Sequence, residues 1–384
     1  MKIWLMFFCF VSVVQAQAQV DIRKNFVKKS IAVVGDAPVA AVLKNDLRLS
    51  GAFEIKSANE AEYLALVSGT SCAVSQSATK TAVLAKAYQA TGRTLAHAMA
   101  DDIVQTITGQ RGIAQTKIAF IYAKTPRVKE LAVMDYDGFN IQVLTRDGKS
   151  SGHPRWSPNG QKIAYTSYWK GYPDVLEADL DSKQRRVLAS FPGVNSGAAY
   201  SPDGSTIALT LSKDGNPELY TMNANGGGFR RLTNTDGIES SPAWSPDGQS
   251  IAYVSNASGT PQIWLIDRNG GESRRLTASP SRNTEPDWSR PPADAEAKPA
   301  IAVTSEVGKF QIGIYDGDRT VTPLVADGID NSDPSWAPDG RHIVFAKARN
   351  YRSRLYLLDV RTKEQIELPA IEGEASEPAW GPWR

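Results

Sequence analysis

Apolar and polar residues alternate with a period of two along much of the chain, in short runs separated by turn-forming residues. Within residues 238–282 this pattern predicts four strands, over 241–245, 250–255, 261–267 and 273–277. The first two are joined by the letters SPDG, where proline presets φ and glycine accepts a positive φ. Four short strands of this kind are typical of one antiparallel sheet.

The same phrase recurs along the chain as WSPNGQKIAY, YSPDGSTIAL, WSPDGQSIAY and WAPDGRHIVF. The spacing between its first residues is 44, except for one step of 48 that includes a Pro/Ala-rich loop over 291–299. A period of this length indicates one propeller blade per repeat. We expect the leading rings to fill the space between neighbouring blades, not to form a platform for sugars. These rings are Trp156, Tyr200, Trp244, Trp288, Trp336 and Trp380.

The two ends of the repeat region each contain an incomplete blade. Residues 117–145 predict three strands without a first strand, and the final residues PAWGPWR predict a first strand without partners. Together they make one blade, and a ring closed in this way leaves no exposed sheet edge. The sequence therefore predicts a six-bladed β-propeller over residues 113–384.

The preceding residues 19–112 do not share the repeat and predict a small α/β domain. Helices are expected over 37–50 and 94–108, where apolar residues recur at helical spacing and a glycine follows each helix. Short strands are expected between them. The second helix leads directly into the first propeller strand, so we expect the two domains to be in firm contact.

The first 18 residues have the layout of a secretory signal peptide. Lys2 supplies the positive charge, residues 3–14 form an apolar run, and Ala16-Gln-Ala offers a cleavage site. Removal of this segment would take Cys9 with it and leave Cys72 as the one cysteine, which excludes an internal disulfide. The net charge of +2 does not indicate a nucleic-acid-binding surface.

Three stretches resemble the TolB family of the periplasmic Tol-Pal system. They are HAMADDIVQTITGQRGIAQTKIAF (97–120), VLKNDLRLSGAFEI (42–55) and the repeats with their split blade. The resemblance implies an α/β domain followed by a six-bladed propeller, in a periplasmic, monomeric protein with no catalysis and no cofactor. It also implies binding to the lipoprotein Pal through the propeller rim and to TolA through the N-terminal region. Outer-membrane integrity and constriction at cell division would be the role.

The residues three to five positions before each repeat aromatic are expected to meet near the propeller axis. Short polar groups and carboxylates predominate there, and a mouth of one dominant sign can select a charged partner. An alternative is that these residues are turn formers and strand caps. The candidate contact residues are His153, Asn195, Glu239, Ser240, Asn283, Thr284, Glu285, Asn331, Asp333 and Glu377.

The residues Asp21, Ile22 and Arg23 are the candidate contacts for TolA, since they lie in a basic N-terminal arm. The alternative is a terminus that is simply solvated.

Catalytic and metal-binding patterns are weak. The letters GKSSG over 148–152 match G-x-S-x-G, but they join two blades and lack the strand-turn-helix context of a nucleophile. His97, His153 and His342 fall in three different structural positions, and the acidic run 330–333 lacks a full calcium ligand set. We therefore expect neither a catalytic residue nor a metal site. One alternative stays open: an exported propeller that binds or cleaves a small carbohydrate.

Overall fold

The computed structural model describes residues 27–290, 298–315, 317–350, 352–369 and 371–383. The predicted signal peptide, the arm residues Asp21, Ile22 and Arg23, and most of the loop expected over 291–299 lie outside these ranges. Among the described residues, no helix combines the length and the apolar character needed to cross a membrane.

The N-terminal region is a five-stranded sheet with two helices. The strands lie in the order β2-β1-β3-β4-β5; β1 is parallel to β2 and β3, and β3, β4 and β5 form an antiparallel meander. The helices occur where the sequence predicts them, and the second ends on Gly109, whose φ of 74° suits glycine. The elements are β1 (Lys29–Gly35), α1 (Ala37–Leu49), β2 (Phe53–Ile55), β3 (Tyr63–Ser68), β4 (Ser71–Gln76), β5 (Ala82–Ala87) and α2 (Gly92–Thr108).

Six four-stranded antiparallel sheets follow, as the repeat predicts. Five of them use four consecutive strands each. These are β9 (Ser151–Trp156), β10 (Lys162–Ser167), β11 (Asp174–Asp179) and β12 (Arg185–Ala189); β13 (Asn195–Tyr200), β14 (Thr206–Leu211), β15 (Glu218–Asn223) and β16 (Arg230–Arg231); β17 (Glu239–Trp244), β18 (Ser250–Ser255), β19 (Gln262–Asp267) and β20 (Arg274–Arg275); β21 (Arg282–Trp288), β22 (Ile301–Val307), β23 (Lys309–Tyr315) and β24 (Thr322–Val325); β25 (Asp330–Trp336), β26 (His342–Arg349), β27 (Arg352–Asp359) and β28 (Gln365–Glu367).

The sixth sheet joins the two ends of the repeat region. Its strands are β6 (Lys117–Thr125), β7 (Val128–Asp135), β8 (Gln142–Val143) and β29 (Glu374–Trp380), in the order β29-β6-β7-β8. Trp380 pairs with Ile118, so the last strand of the chain completes a sheet that begins about 260 residues earlier. The predicted composite blade is therefore present, and it closes the ring.

The repeat aromatics pack between blades, as expected from the sequence. Trp244, Trp336 and Trp380 are 5–7% exposed, and the other three rings are half-buried. The indole N–H of Trp244 donates to the carbonyl of Ala199 in the preceding blade at 3.1 Å, which ties one first strand to the next. The first strands themselves begin two residues earlier than predicted, at Glu239 in this blade, so residues expected in loops are in fact strand residues.

We call the face where the first strands begin the upper face, and the face where they end the lower face. The N-terminal region lies against the lower face. Arg341, in the turn after first strand β25, donates to the carbonyl of Gly51 at 2.9 Å and pairs with Asp359 at 2.6 Å. Gly51 has a φ of 66°, and a Cβ there would lie 2.4 Å from the Arg341 side chain, so this close approach requires glycine. The expected firm contact between the two regions is observed.

Candidate partner-binding surface

Each of the six first strands contains a residue with positive φ three positions before its repeat aromatic. The φ values lie between 48° and 63°, and the register with the second strand shifts at this point in every blade. Each is therefore a β-bulge, a feature that re-aims a side chain at the rim of a sheet. We call these residues the axial ring: His153, Gly197, Ser241, Glu285, Asp333 and Glu377.

The axial ring lines a narrow cavity on the propeller axis. We call the space along this axis the channel. Its volume is about 30 Å³, which is room for about one water molecule, and Arg155 also contributes to its wall. Its side chains are half-buried to exposed, so the ring can be reached from the upper face without opening the core.

Three carboxyl groups occupy adjacent positions of the ring. Glu285 accepts the backbone N–H of Asp333 at 2.9 Å, and Glu377 accepts the backbone N–H of His153 at 2.6 Å. Burial, followed by the charges of Glu285 and Glu377, raises the pKa of Asp333 well above its ordinary value. The raised pKa favours the neutral form of Asp333, so Glu285 and Glu377 on either side of it supply the negative charge of the upper mouth, and a positively charged group of a partner would be favoured there.

Four predicted contact residues are buried instead and serve as loop caps. Asn195, Glu239, Asn283 and Asn331 are 0% exposed. The amide of Asn283, for example, donates to Gln262 at 2.9 Å, while its oxygen accepts from Ser305 at 2.6 Å. The assignment of these four to a partner surface is thus corrected, because they are buried and form hydrogen bonds to other residues of the propeller. The alternative reading of strand caps applies to them.

Glu239 is the clearest of these corrections. Its carboxyl group accepts from Ser255 at 2.7 Å and Thr235 at 2.9 Å, and it lies beside the buried Glu218. Burial, followed by the hydrogen bond and charge of Glu218, raises the pKa of Glu239. It is an internal group, 0% exposed, and its carboxyl group does not face the rim.

The remaining candidates divide in a simple way. His153, Glu285, Asp333 and Glu377 are members of the axial ring. Ser240 and Thr284 are half-buried strand residues whose backbones pair with the second strand of their blade. Their contact with a partner stays a prediction.

The upper face also carries exposed aromatic residues that the sequence analysis missed. Tyr168, Trp169 and Tyr172 are 40–53% exposed in the turn between β10 and β11. This turn lies beside the start of β9, since Ser167 pairs with Ser151. Ile238 and Val307, at 49% and 60% exposure, lie at the same end of their blades. The sequence signal was the run YWKGY in a turn where the next two blades have SKDGNP and NASGTP, without an aromatic residue.

The residues of the weak catalytic and metal patterns have the following surroundings where the structure describes them. The GKSSG letters run from the turn after β8 into the first two residues of β9, with no helix following. Asp330 pairs with Lys309 at 3.0 Å and accepts from the backbone of Phe310. Within the described ranges, one group of metal-ligating types comes together, Asp46 with His97 and Asp137, and it is buried near the N-terminal region, away from the axis.

The lower mouth of the channel is a separate pocket. Its volume is about 420 Å³, and its wall contains the repeat aromatics together with Arg155, Asp287 and Arg290. Arg290 stands where the other five blades have proline, at 158, 202, 246, 338 and 382. The pKa of Asp287 is raised, and burial is the largest cause.

Comparison with known proteins gives three kinds of match. The profile of the family described as the TolB beta propeller domain matches residues 104–384. A stretch of 103 residues is 45% identical to the Tol-Pal system protein TolB of Jannaschia sp. strain CCS1, covering 26% of this chain and 23% of that protein. The protein of the same name from Legionella pneumophila strain Corby is 39% identical over 106 residues, covering 27% and 25%. The matched stretch thus spans about a quarter of these curated relatives.

One solved structure is similar over nearly the whole chain. The crystal structure of TolB from Acinetobacter baumannii superposes with a TM-score of 0.82 at 27% identity, covering 93% of this chain and 97% of that one. Both the α/β region and the six blades therefore have counterparts in one known protein.

Proposed function

Because the chain belongs to the TolB β-propeller family, we propose that it is a non-catalytic, protein-binding adaptor of a Tol-Pal system in the periplasm. The resemblance and the fold expected from the sequence are confirmed by the family profile and by the solved relative. In the proposed role the chain binds the lipoprotein Pal through the upper face and TolA through its N-terminal arm. It acts as a monomer and supports outer-membrane integrity and constriction at cell division.

The observation that carries the Pal proposal is the composition of the upper face. An acidic axial ring lies at its centre, and the exposed Tyr168, Trp169 and Tyr172 lie on one of its turns. Aromatic residues supply much of the binding energy in protein interfaces, while fixed charges select the partner and its orientation. The lower face offers less room for a protein, since the N-terminal region contacts it at Gly51.

The expected partner has a basic side chain or a cluster of backbone N–H groups above Glu285 and Glu377. These two carboxyl groups already accept backbone N–H groups of the neighbouring blades, so they are held in place before a partner arrives. Held groups lose little conformational freedom on binding, which favours affinity. The αL conformation of the ring residues also keeps their side chains pointed at the axis.

The test is capture of purified partners by the mature chain. We expect immobilised chain starting at residue 19 to retain both soluble Pal without its lipid and a soluble TolA fragment. A chain starting at residue 27 should retain Pal and lose TolA. Failure of the longer chain to retain Pal would contradict the Pal proposal, and equal TolA capture by both chains would contradict the arm proposal.

The carbohydrate alternative has one observation in its favour, the aromatic pocket at the lower mouth. Its volume of about 420 Å³ and its ring-lined wall suit a small sugar. Calorimetry with N-acetylglucosamine and galacturonate tests this alternative, with the change in tryptophan fluorescence as a second signal. Heat and fluorescence changes for either sugar would favour it, and their absence at millimolar sugar would leave the adaptor role alone.

A further inference from the structure

A cavity of about 490 Å³ lies where helix α2 meets the composite blade. Its wall includes His97 from α2, Lys117 at the start of β6, Asp135 at the end of β7, and Asn140 and Ile141 from the following turn. Small-molecule sites commonly have this volume and commonly lie between two folded regions. Neither the axial ring nor the aromatic turn contributes to this cavity.

The orientation of His97 is fixed by its neighbour. Its Nδ1 lies 2.8 Å from Asp46 Oδ2, and Asp46 is held in turn by the hydroxyl of Tyr136 at 2.9 Å. The opposite nitrogen, Nε2, lies 3.9 Å from Asp135 Oδ2 in the cavity wall. His97 is 4% exposed, yet Nε2 makes no hydrogen bond to any described residue. A buried polar atom of this kind is costly unless something binds to it.

The charge of His97 follows from its surroundings. Burial by itself lowers the pKa of His97, but the hydrogen bond and charge of Asp46, with the charges of Asp137 and Asp135, outweigh it and the pKa is raised. The raised pKa favours the doubly protonated ring, in which Nδ1–H is donated to Asp46 and Nε2–H faces the cavity as a donor.

Lys117 adds a second donor with spare capacity. Its Nζ contacts Asp135 Oδ1 at 2.6 Å, which uses one of its three N–H groups. The amide of Asn140 donates to the other oxygen of Asp135. Asp135 is thus supplied with donors from the protein itself. The hydrogen-bonding groups of the cavity that still lack a partner are N–H donors, and at least one of them is charged. Such donors form strong hydrogen bonds to a carboxylate.

We propose that this cavity binds a small carboxylate-bearing molecule of amino-acid or dipeptide size, whose carboxylate accepts from His97 Nε2 and Lys117 Nζ. An ammonium group on the same molecule would contact Asp135, which has lone pairs remaining after its bonds to Lys117 and Asn140. The side chain of Ile141, 38% exposed at the cavity, offers an apolar contact for the rest of the ligand. A ligand here touches both the N-terminal region and the propeller.

Three related probes separate the contributions: alanyl-alanine, its N-acetyl form and its C-terminal amide. Calorimetry on the mature chain should detect the first two, and removal of the carboxylate in the amide should weaken binding roughly tenfold or more. Binding should also shift the ¹H–¹⁵N signal of the His97 ring. No heat from any probe, or equal binding of the amide, would overturn the proposal.

Variants assign the binding to this cavity. Lys117→Gln should weaken alanyl-alanine roughly tenfold or more, whereas Lys124→Gln, an exposed change on the same strand, should leave it unchanged. His97→Gln should weaken it similarly, and since it can also disturb the buried pair with Asp46, Lys117→Gln remains the deciding variant. Unaltered binding by Lys117→Gln would place the ligand elsewhere and overturn the proposal. Pal capture is expected to be the same in all of these variants. A failure of the cavity proposal can therefore be distinguished from a failure of the Pal proposal.

Discussion

Two rows of residues on the same six first strands have opposite roles. The row five positions before the repeat aromatic, with Asn195, Glu239, Asn283 and Asn331, is fully buried and hydrogen-bonded to other residues of the propeller. The row two positions later is the axial ring, which faces the channel. Residues two apart in a regular strand point to the same side, so the bulge is what separates the two rows. The repeat locates a residue, and the local backbone decides what that residue contacts.

The largest expected effect comes from placing a charge in the buried row. Glu239→Lys would put a cation beside Thr235 and Ser255, in a site that is 0% exposed. The longer side chain overfills a packed site and removes the acceptor of both hydroxyls, and the neighbouring Glu218 offsets only part of this cost. We expect a loss of about 3–5 kcal/mol of unfolding free energy, so the variant should unfold at a much lower urea concentration. Urea denaturation followed by circular dichroism measures this directly.

The matched change in the other row is Glu285→Lys. It should remain folded and lose Pal affinity, since its side chain lies in the half-buried axial ring. If Glu239→Lys were as stable as the wild-type chain, the separation of the two rows would be wrong.

Removing a cap should have the next largest effect. Asn283→Ala loses the bonds to Gln262 and Ser305 and leaves the buried Ser305 hydroxyl without its acceptor, whereas Gln262 keeps its bond from Thr277. We expect a loss of about 1–3 kcal/mol in unfolding free energy, with unchanged Pal affinity per folded molecule. Ser240→Ala, a half-buried neighbour in the row between, is the control and should change stability by less than about 0.5 kcal/mol.

A smaller effect is expected from adding a carboxylate to the ring itself. Gly197 has a φ of 63°, and a Cβ there would meet Pro242 at an ordinary 3.6 Å. Gly197→Asp should therefore cost only about 1 kcal/mol, from the αL conformation alone. If an acidic ring attracts Pal, the Gly197→Asp chain should associate with Pal faster than the wild-type chain at low salt. A slower rate would show that Pal does not carry positive charge to the axis.

The smallest effect concerns pH. The pKa of Glu239 is raised on folding, so its contribution to stability is present below the ordinary carboxyl pKa and is lost as pH rises through the folded value. Glu239→Gln removes this contribution, because the amide needs no proton. Between about pH 5 and about pH 8, the unfolding free energy of the wild-type chain should fall more than that of the variant. Urea denaturation at the two pH values gives each unfolding free energy. An equal fall for the wild-type chain and the variant would contradict a raised pKa.

The fold was largely predictable because its signals are periodic. The 44-residue spacing located the blades, and the unpaired ends around Ile118 and Trp380 predicted the composite blade. The contact residues were less predictable, since Glu239 and Glu285 are both carboxylates next to a repeat and differ only through the bulge. The bulge residue itself varies, with glycine in one blade and His, Ser, Glu or Asp in the others, and its one sequence signal is the proline that follows it in five of the six blades.

The network around His97 could not be predicted for a different reason. His97 stood in a recognisable motif, but its partners Asp46 and Tyr136 come from α1 and from the propeller, 51 and 39 residues away in sequence. A pattern within one segment does not reveal contacts between segments. The exposed Tyr168 and Trp169 were missed because they lie in the turn of one blade only and leave the 44-residue spacing of the repeat unchanged.

The most direct test of the central claim is site-specific photo-crosslinking of the upper face to Pal. A photoreactive phenylalanine would replace Tyr172 on the upper face or, as the control, exposed Lys363 in the turn after β27 at the lower face. Both positions are exposed, so neither change should disturb the fold. The account predicts a crosslink to Pal from position 172 and none from position 363. A crosslink from position 363 alone would contradict it.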